Sequence, residues 1–231
     1  MAMPEQQLIF EIIAIFLLAA YTFSIIFLSK KIYEYMLKKR LKKSVALYYN
    51  RKIIHIFAGG VVVLAVPFLF SNPWFPLISA ILMGIVAFIA HRSGNSFYWF
   101  QSGNNFNDVS FCFMWGIAIF ILWQIFNNPW IAIIPPAFIA FGDGITGIVR
   151  NLAFNERKKH PIGNLYMMGL CIPIGYYFAN AADPSIPLWG VIAAIFASFF
   201  ERYEFGPIDD NILVAGIATA ILYIGGVFGP I

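Results

Sequence analysis

Long apolar runs separated by short polar stretches set the pattern of this chain. Runs of bilayer-crossing length are readable at about 6–29, 52–71, 74–91, 109–126, 129–149, 164–181, 186–201 and 211–229. They predict an all-α, polytopic integral membrane protein of about eight transmembrane helices. The breaks carry turn chemistry in Ser71-Asn72-Pro73-Trp74, Asn127-Asn128-Pro129-Trp130 and Asp183-Pro184-Ser185-Ile186-Pro187. Trp74, Trp130 and Trp189 suit an interfacial aromatic belt. Pro135-Pro136 lie inside the fifth run and predict a kink or break, since proline removes a backbone donor and clashes with the preceding turn. Broken helices at membrane depth line cavities.

Composition agrees. The 231 residues are 61% hydrophobic and 11% charged, with mean hydropathy +0.78, whereas a soluble domain carries about a quarter charged residues. The first run is too long for a signal h-region and ends in Lys30-Lys31, so no cleavable signal is expected. Cys112 and Cys171 each sit inside an apolar run and read as packing residues rather than a disulfide or metal pair.

The net charge of +4 becomes informative once the charges are placed. Nine of the fifteen Lys and Arg lie between the first two runs, one follows the third, four follow the fifth and one follows the seventh. All fifteen therefore fall on the side reached after an odd-numbered helix. The positive-inside rule makes that side cytoplasmic and puts both termini outside. His55, His91, His160 and most acids share it, so polar chemistry is expected at the cytoplasmic face. The organisation expected is an N-terminal helix with a basic amphipathic segment over 1–50, then a seven-helix catalytic membrane domain over 51–231. The Lys30–Lys43 segment, with Ile32, Tyr35, Met36 and Leu41 among its lysines, reads as a topology signal on anionic headgroups worth about 1 kcal/mol per charge. The partner expected from this layout is the bilayer, with no nucleic acid; an oligomer is left open.

Several constellations carry chemistry. Phe141-Gly-Asp143-Gly-Ile-Thr-Gly147-Ile-Val-Arg150 closes the fifth run with a carboxylate where an ionised group is expensive and needs a reason. Its glycines let a backbone or a phosphate come close. Arg51-Lys52-Ile-Ile-His55 opens the second run, its spacings of three and four placing two cations and an imidazole on one helical face. Phosphate binding and headgroup snorkelling are equally compatible with that face. Lys158-Lys159-His160-Pro161-Ile-Gly163-Asn164 leads into a helix N-terminus, a place suited to anionic oxygens, where Asn164 is equally readable as an N-cap. Glu201, Glu204, Asp209, Asp210 and Asn211 form an oxygen-ligand set of the kind Mg²⁺ accepts, or else cap the last helix. Arg92 to Asp108 is a polar loop interleaved with Phe97, Tyr98, Trp99 and Phe100, a weak candidate for a substrate lid.

Taken together these residues resemble the CTP-dependent polyprenol kinase family, which includes dolichol and phytol kinases and is distantly related to CDP-lipid synthases. Arg51-Lys52-x-x-His55-x-x-x-Gly59 looks like its opening motif, and Gly142-Asp143 with Thr146-Gly147 looks like its Gly-Asp-x-x-Ala-Ser core. Lys159 and Gly163 match its Lys-Ser/Thr-x-Glu-Gly loop, and Asp210-Asn211-Ile212-Leu213 resembles its late Asp-Asn-Leu-Leu. The likeness covers about residues 50–222 and is nearest archaeal members, which also read Gly-Asp-Gly-x-Thr-Gly. Arg150 stands where the family often has Gly, and Ile162 where it has Glu.

The resemblance implies a membrane kinase using Mg²⁺ and CTP to phosphorylate an isoprenoid lipid alcohol at the cytoplasmic face. On that basis Asp143 is expected to bind Mg²⁺ or accept the hydroxyl proton, and Lys159 to act beside it. Asp209 or Asp210, with Asn211, would complete the metal site. Arg51, Lys52, His55, Lys159 and Arg157 would hold the triphosphate, with Gly142, Gly147 and Gly163 allowing its approach. The alternatives are a CTP:lipid-phosphate cytidylyltransferase, whose extended signature is absent, and a non-enzymatic transporter or lipid-binding protein. Charges gathered at one face and the lack of an obvious inverted repeat speak against the last.

Overall fold

The computed structural model describes residues 4–94, 97–102, 105–154 and 159–230. Among these residues the chain forms eight helices: α1 (Glu5–Lys38), α2 (Lys43–Leu69), α3 (Trp74–Arg92), α4 (Asn107–Phe126), α5 (Pro129–Phe154), α6 (Pro161–Asn180), α7 (Pro187–Phe200) and α8 (Asp210–Phe228). Seven are long and apolar enough to cross a bilayer. The exception is α7: fourteen residues reach about 21 Å, short of the roughly 30 Å hydrocarbon core. The run at 186–201 is thus apolar but is not by itself a full crossing.

Two expected boundaries move. No breaker interrupts α1 until Arg40 turns left-handed, so the helix continues nine residues past the expected end at 29 and carries Lys30, Lys31 and Lys38 with it. The next helix begins at Lys43, nine residues before the apolar run, which puts the expected domain boundary at 50/51 inside α2. Arg51 and Lys52 are therefore buried in a helix interior rather than loop residues at the surface.

The break expected in α5 is present. Asn127 is left-handed, Asn128 accepts a hydrogen bond from the Trp130 amide at 2.8 Å, and Pro129 occupies the first turn. The helix then pauses at Ile133 before Pro135-Pro136, widens into a π-turn over Phe138–Gly142, and resumes as Asp143–Phe154. A second π-turn, His55–Gly60, lies within α2, and the two π-turns pack against each other. Such turns loosen the backbone ladder and are common at functional sites.

The core forms around α5. Of its most apolar stretch 83% is buried, against 17% for α1. Ile131, Ile133, Ile134, Phe138 and Ile139 meet Met167 and Cys171 of α6, the alanines of α7, and Val214, Ala218 and Leu222 of α8. The outer helix faces expose Phe16, Leu17, Phe68, Leu82 and Tyr177, as a lipid-facing surface would.

Successive helices alternate in direction, and hydrogen bonds tie the two ends of the bundle. At one end Asn211 Nδ2 donates to the Asn107 carbonyl (2.8 Å), and Asn50 Nδ2 to Ser29 Oγ (3.2 Å) and the Trp99 carbonyl (2.9 Å). At the other, buried Glu11 accepts from the Ser71 amide (3.0 Å) and hydroxyl (2.6 Å), and Trp189 Nε1 donates to the Gly229 carbonyl (2.9 Å).

Candidate active site

Below the paired π-turns, α2 and α5 bring Asp143 against Lys52. The Lys52 ammonium sits 2.5 Å from both Asp143 oxygens, and each side chain is essentially inaccessible. His55, one turn along α2, places Nδ1 3.4 Å from Asp143 Oδ2 and stacks its ring on Phe111 at 4.1 Å. The spacing that put Lys52 and His55 on one helical face thus delivers both to a single carboxylate.

Two further buried carboxylates converge there. One oxygen each of Asp143, Glu201 and Asp210 lies within 4.8 Å of the other two. Glu201 ends α7, and Asp210 opens α8. Arg150, two turns beyond Asp143, clasps Glu201 in a fork, with Nη1 to Oε1 at 2.8 Å and Nη2 to Oε2 at 2.7 Å. Its Nη2 also reaches Asn164 Oδ1 (3.1 Å), and its Nε the His160 carbonyl (2.9 Å). Lys159 donates to Asp210 Oδ2 (2.7 Å) and to the Glu201 carbonyl (3.0 Å) and lies 3.3 Å from Glu204. Burial draws the Lys159 ammonium pKa down, but Asp210 and Glu201 outweigh it and hold the pKa above the ordinary lysine value. Three buried acids are thus matched by Lys52, Arg150 and Lys159, which is what burial of ionised groups demands.

This arrangement revises several expectations. Asp143 pairs with Lys52, and Arg150 and Lys159 pair with the other two acids. Asp209 lies outside the carboxylate cluster: it caps α8 by accepting from the Ile212 amide (3.1 Å) and also accepts from the Ser110 hydroxyl. Burial raises its carboxyl pKa, against those hydrogen bonds. Asn211 ties α8 to Asn107 and Ser110 of α4 and is not part of the cluster. Glu201, among the oxygen-ligand candidates read from the sequence, lies in the cluster with both oxygens on Arg150.

The glycine expectations change too. A Cβ on Gly142 would strike Cys171 Sγ at 2.5 Å, one on Gly147 would strike Lys52 Cγ at 2.6 Å, and one on Gly163 would strike Arg150 Nε at 2.5 Å. The bare faces of these glycines are filled by protein side chains: Gly142 seats Cys171, Gly147 seats Lys52 and Gly163 seats Arg150. Asn164 is no cap, because His160 Nδ1 accepts from the Ile162 amide (3.2 Å) and Asn164 turns inward to Arg150, Glu201 and the Ser198 carbonyl. Arg157, expected at the triphosphate, lies outside the described residues.

Arg51 behaves differently from Lys52. It is buried, its guanidinium lies 5.3 Å from the Tyr48 ring, and its Nε has no hydrogen-bond partner among the described residues. It lines an apolar cavity of ≈ 370 Å³ between α1, α2, α3 and α4, which His55 and Asp108 also line. Within the expected lid over 92–108, the described residues 97–102 fold inward. Trp99 and Phe100 are buried, Trp99 Nε1 donates to the Ile26 carbonyl (3.0 Å), and Phe97 and Phe100 wall the cavity.

As a test of metal fit, each carboxylate can be asked what it has free. Both Glu201 oxygens are committed to Arg150, so Glu201 is a poor ligand. Asp143 and Asp210 are held chiefly by lysines, whose single-point contacts exchange readily, and their oxygens suit a hard cation such as Mg²⁺. No family model, curated protein or solved structure matches the chain.

Proposed function

We propose that the chain is a CTP-dependent lipid kinase, transferring the γ-phosphoryl group of CTP to the hydroxyl of an isoprenoid alcohol of the dolichol, polyprenol or geranylgeraniol type. The observation that carries the reading is the meeting of Asp143, Glu201 and Asp210 with Lys52 and Lys159, next to an apolar cavity. The choice of CTP and of an isoprenoid acceptor rests on the resemblance of the motifs to polyprenol kinases. The one-sided distribution of Lys and Arg supports a site at the cytoplasmic face, with both termini on the far side.

Phosphoryl transfer asks a protein chiefly for positioning and charge neutralisation. Asp143 and Asp210 would hold Mg²⁺, which when bound neutralises and orients the phosphates. Lys52 and Lys159 exchange their carboxylate contacts for phosphate oxygens as the nucleotide arrives. Lys159, with its raised pKa, stays charged at neutral pH and acts as a cation rather than a base. Glu201, locked to Arg150, keeps the ends of α5, α6 and α7 in register. The acceptor oxygen forms a bond to the γ-phosphorus while the bond to the β,γ-bridging oxygen breaks and CDP leaves. The hydroxyl proton passes to Asp143, or to solvent where Asp143 serves as metal ligand.

Purified protein with Mg²⁺ is offered CTP labelled at the γ or the α phosphorus, with isoprenoid alcohols and isoprenoid phosphates in parallel. Label from γ entering an alcohol-derived lipid is the expected result. Label from α entering a lipid would instead establish the cytidylyltransferase. Absence of both, together with no thermal protection by CTP, overturns the enzyme reading.

A further inference from the structure

The cavity between α1, α2, α3 and α4 joins two unlike surroundings. Over most of its length it is walled by apolar groups, among them Leu18, Phe23, Val62, Met83 and Trp115. Its wall residues Leu82 and Val86 on α3 are also exposed on the outside of the bundle, and α1 barely touches α3. In a bilayer that side of the bundle would meet hydrocarbon. At its inner end stand Arg51, His55 and Asp108. Arg51 Nε is buried without a hydrogen-bond partner among the described residues, whereas His55 Nδ1 is turned toward Asp143. A buried guanidinium nitrogen left unpaired is costly unless something brings it an acceptor. Asp108 has its oxygens engaged by His91 Nε2 (2.8 Å) and Gln101 Nε2 (2.5 Å), so it forms a fixed acidic edge. His55 is the partition: it lines the cavity, and its Nδ1 lies 3.4 Å from Asp143.

We infer that this cavity binds the acceptor as a single-chain lipid entering sideways between α1 and α3. Its terminal oxygen lies at the end lined by Arg51 and His55, its chain lies along the apolar wall, and phosphate placed there after transfer meets Arg51. The identity of the head group rests on the kinase reading; the place and the single chain rest on the cavity. At ≈ 370 Å³ it is near the lower limit of ligand sites, room for a segment of one chain rather than the two of a membrane phospholipid. Arg51 is thereby reassigned from the nucleotide to the lipid, and Lys52 and Lys159 remain with the nucleotide.

The test uses the full chain in phosphatidylcholine vesicles, without nucleotide, and a farnesol-length isoprenoid alcohol bearing a photoreactive diazirine on its tail. Peptide mapping is expected to find label on α1, α3 and α4, around Thr22, Met83 and Cys112, and not on the outward face of α6 around Tyr177. An unlabelled isoprenoid alcohol should compete, and excess diacyl phospholipid should not. Ala19→Trp with Thr22→Trp, which fills the cavity from α1, should lower labelling by at least about tenfold, and Arg51→Gln should weaken competition by the isoprenoid phosphate by about tenfold. Label spread evenly over all outward faces, or displaced equally by phospholipid, overturns the inference. The map is read on the wild-type protein, so it decides the matter even where a filling variant fails to fold. Correct labelling without phosphoryl transfer from CTP would uphold the cavity while removing the kinase reading.

Discussion

Arg51 and Arg150 are both buried arginines at the same end of the bundle, 4% and 1% exposed, and they are held in opposite ways. Arg150 has a forked carboxylate, an amide oxygen and a backbone carbonyl. Arg51 has a tyrosine ring, an unpaired Nε among the described residues and a place on the wall of a cavity. A fully satisfied guanidinium serves the protein's own architecture. An unsatisfied one is kept at a cost to stability and is explained by something that binds there. Arg150 is a strut across α5, α6 and α7.

The largest effect expected from this contrast is on folding. Arg150→Met strands Glu201 and should destabilise the protein by about 3–5 kcal/mol, read as lost thermal stability in detergent. Adding Glu201→Leu should recover most of it, because an apolar pair of similar size replaces a buried ion pair at little net cost. Failure of the double variant to recover would mean that Glu201 has a task beyond holding Arg150. Asp143→Asn should have an intermediate effect on stability, about 2 kcal/mol, since asparagine still offers Lys52 one oxygen. Label transfer from CTP should fall by at least about a hundredfold, and combining it with Lys52→Met should restore stability without restoring turnover. The smallest effect belongs to Asp209→Ala, which removes the cap on α8 at about 1 kcal/mol and should leave turnover near normal. A collapse of turnover there would return Asp209 to the metal site.

What the sequence discloses follows from the range of the forces. The apolar runs, the proline break in α5 and the cost of Asp143 are local properties, and each is readable from a short window. Helix ends are less so: α1 runs on through its lysines because nothing stops it before Arg40, although lysine-rich residues do not look like a span. The pairings are the least legible, since Lys52 and Asp143 are 91 residues apart and Arg150 and Glu201 are 51 apart. One signal was available for Glu201: like Asp143, it is a carboxylate closing an apolar run. The glycines are hard to read for a related reason. Sequence shows that something comes close to Gly147 and Gly163, but not that the visitor is the side chain of Lys52 or Arg150.

The fastening of α1 has a mechanical consequence. It is joined to the α2 side along its length, at Glu11 to Ser71, at Tyr21, whose hydroxyl donates to the Phe57 carbonyl (2.7 Å), and at Ser29 to Asn50. Toward α3 its attachments are sparse and gather near the inner end, where the Ile26 carbonyl takes the Trp99 indole. A panel hung on three hinges along one edge and latched at a corner swings at the free edge without disturbing its hinges. For α1 that edge borders the apolar cavity, so the doorway to the interior can widen while every bond to α2 stays made.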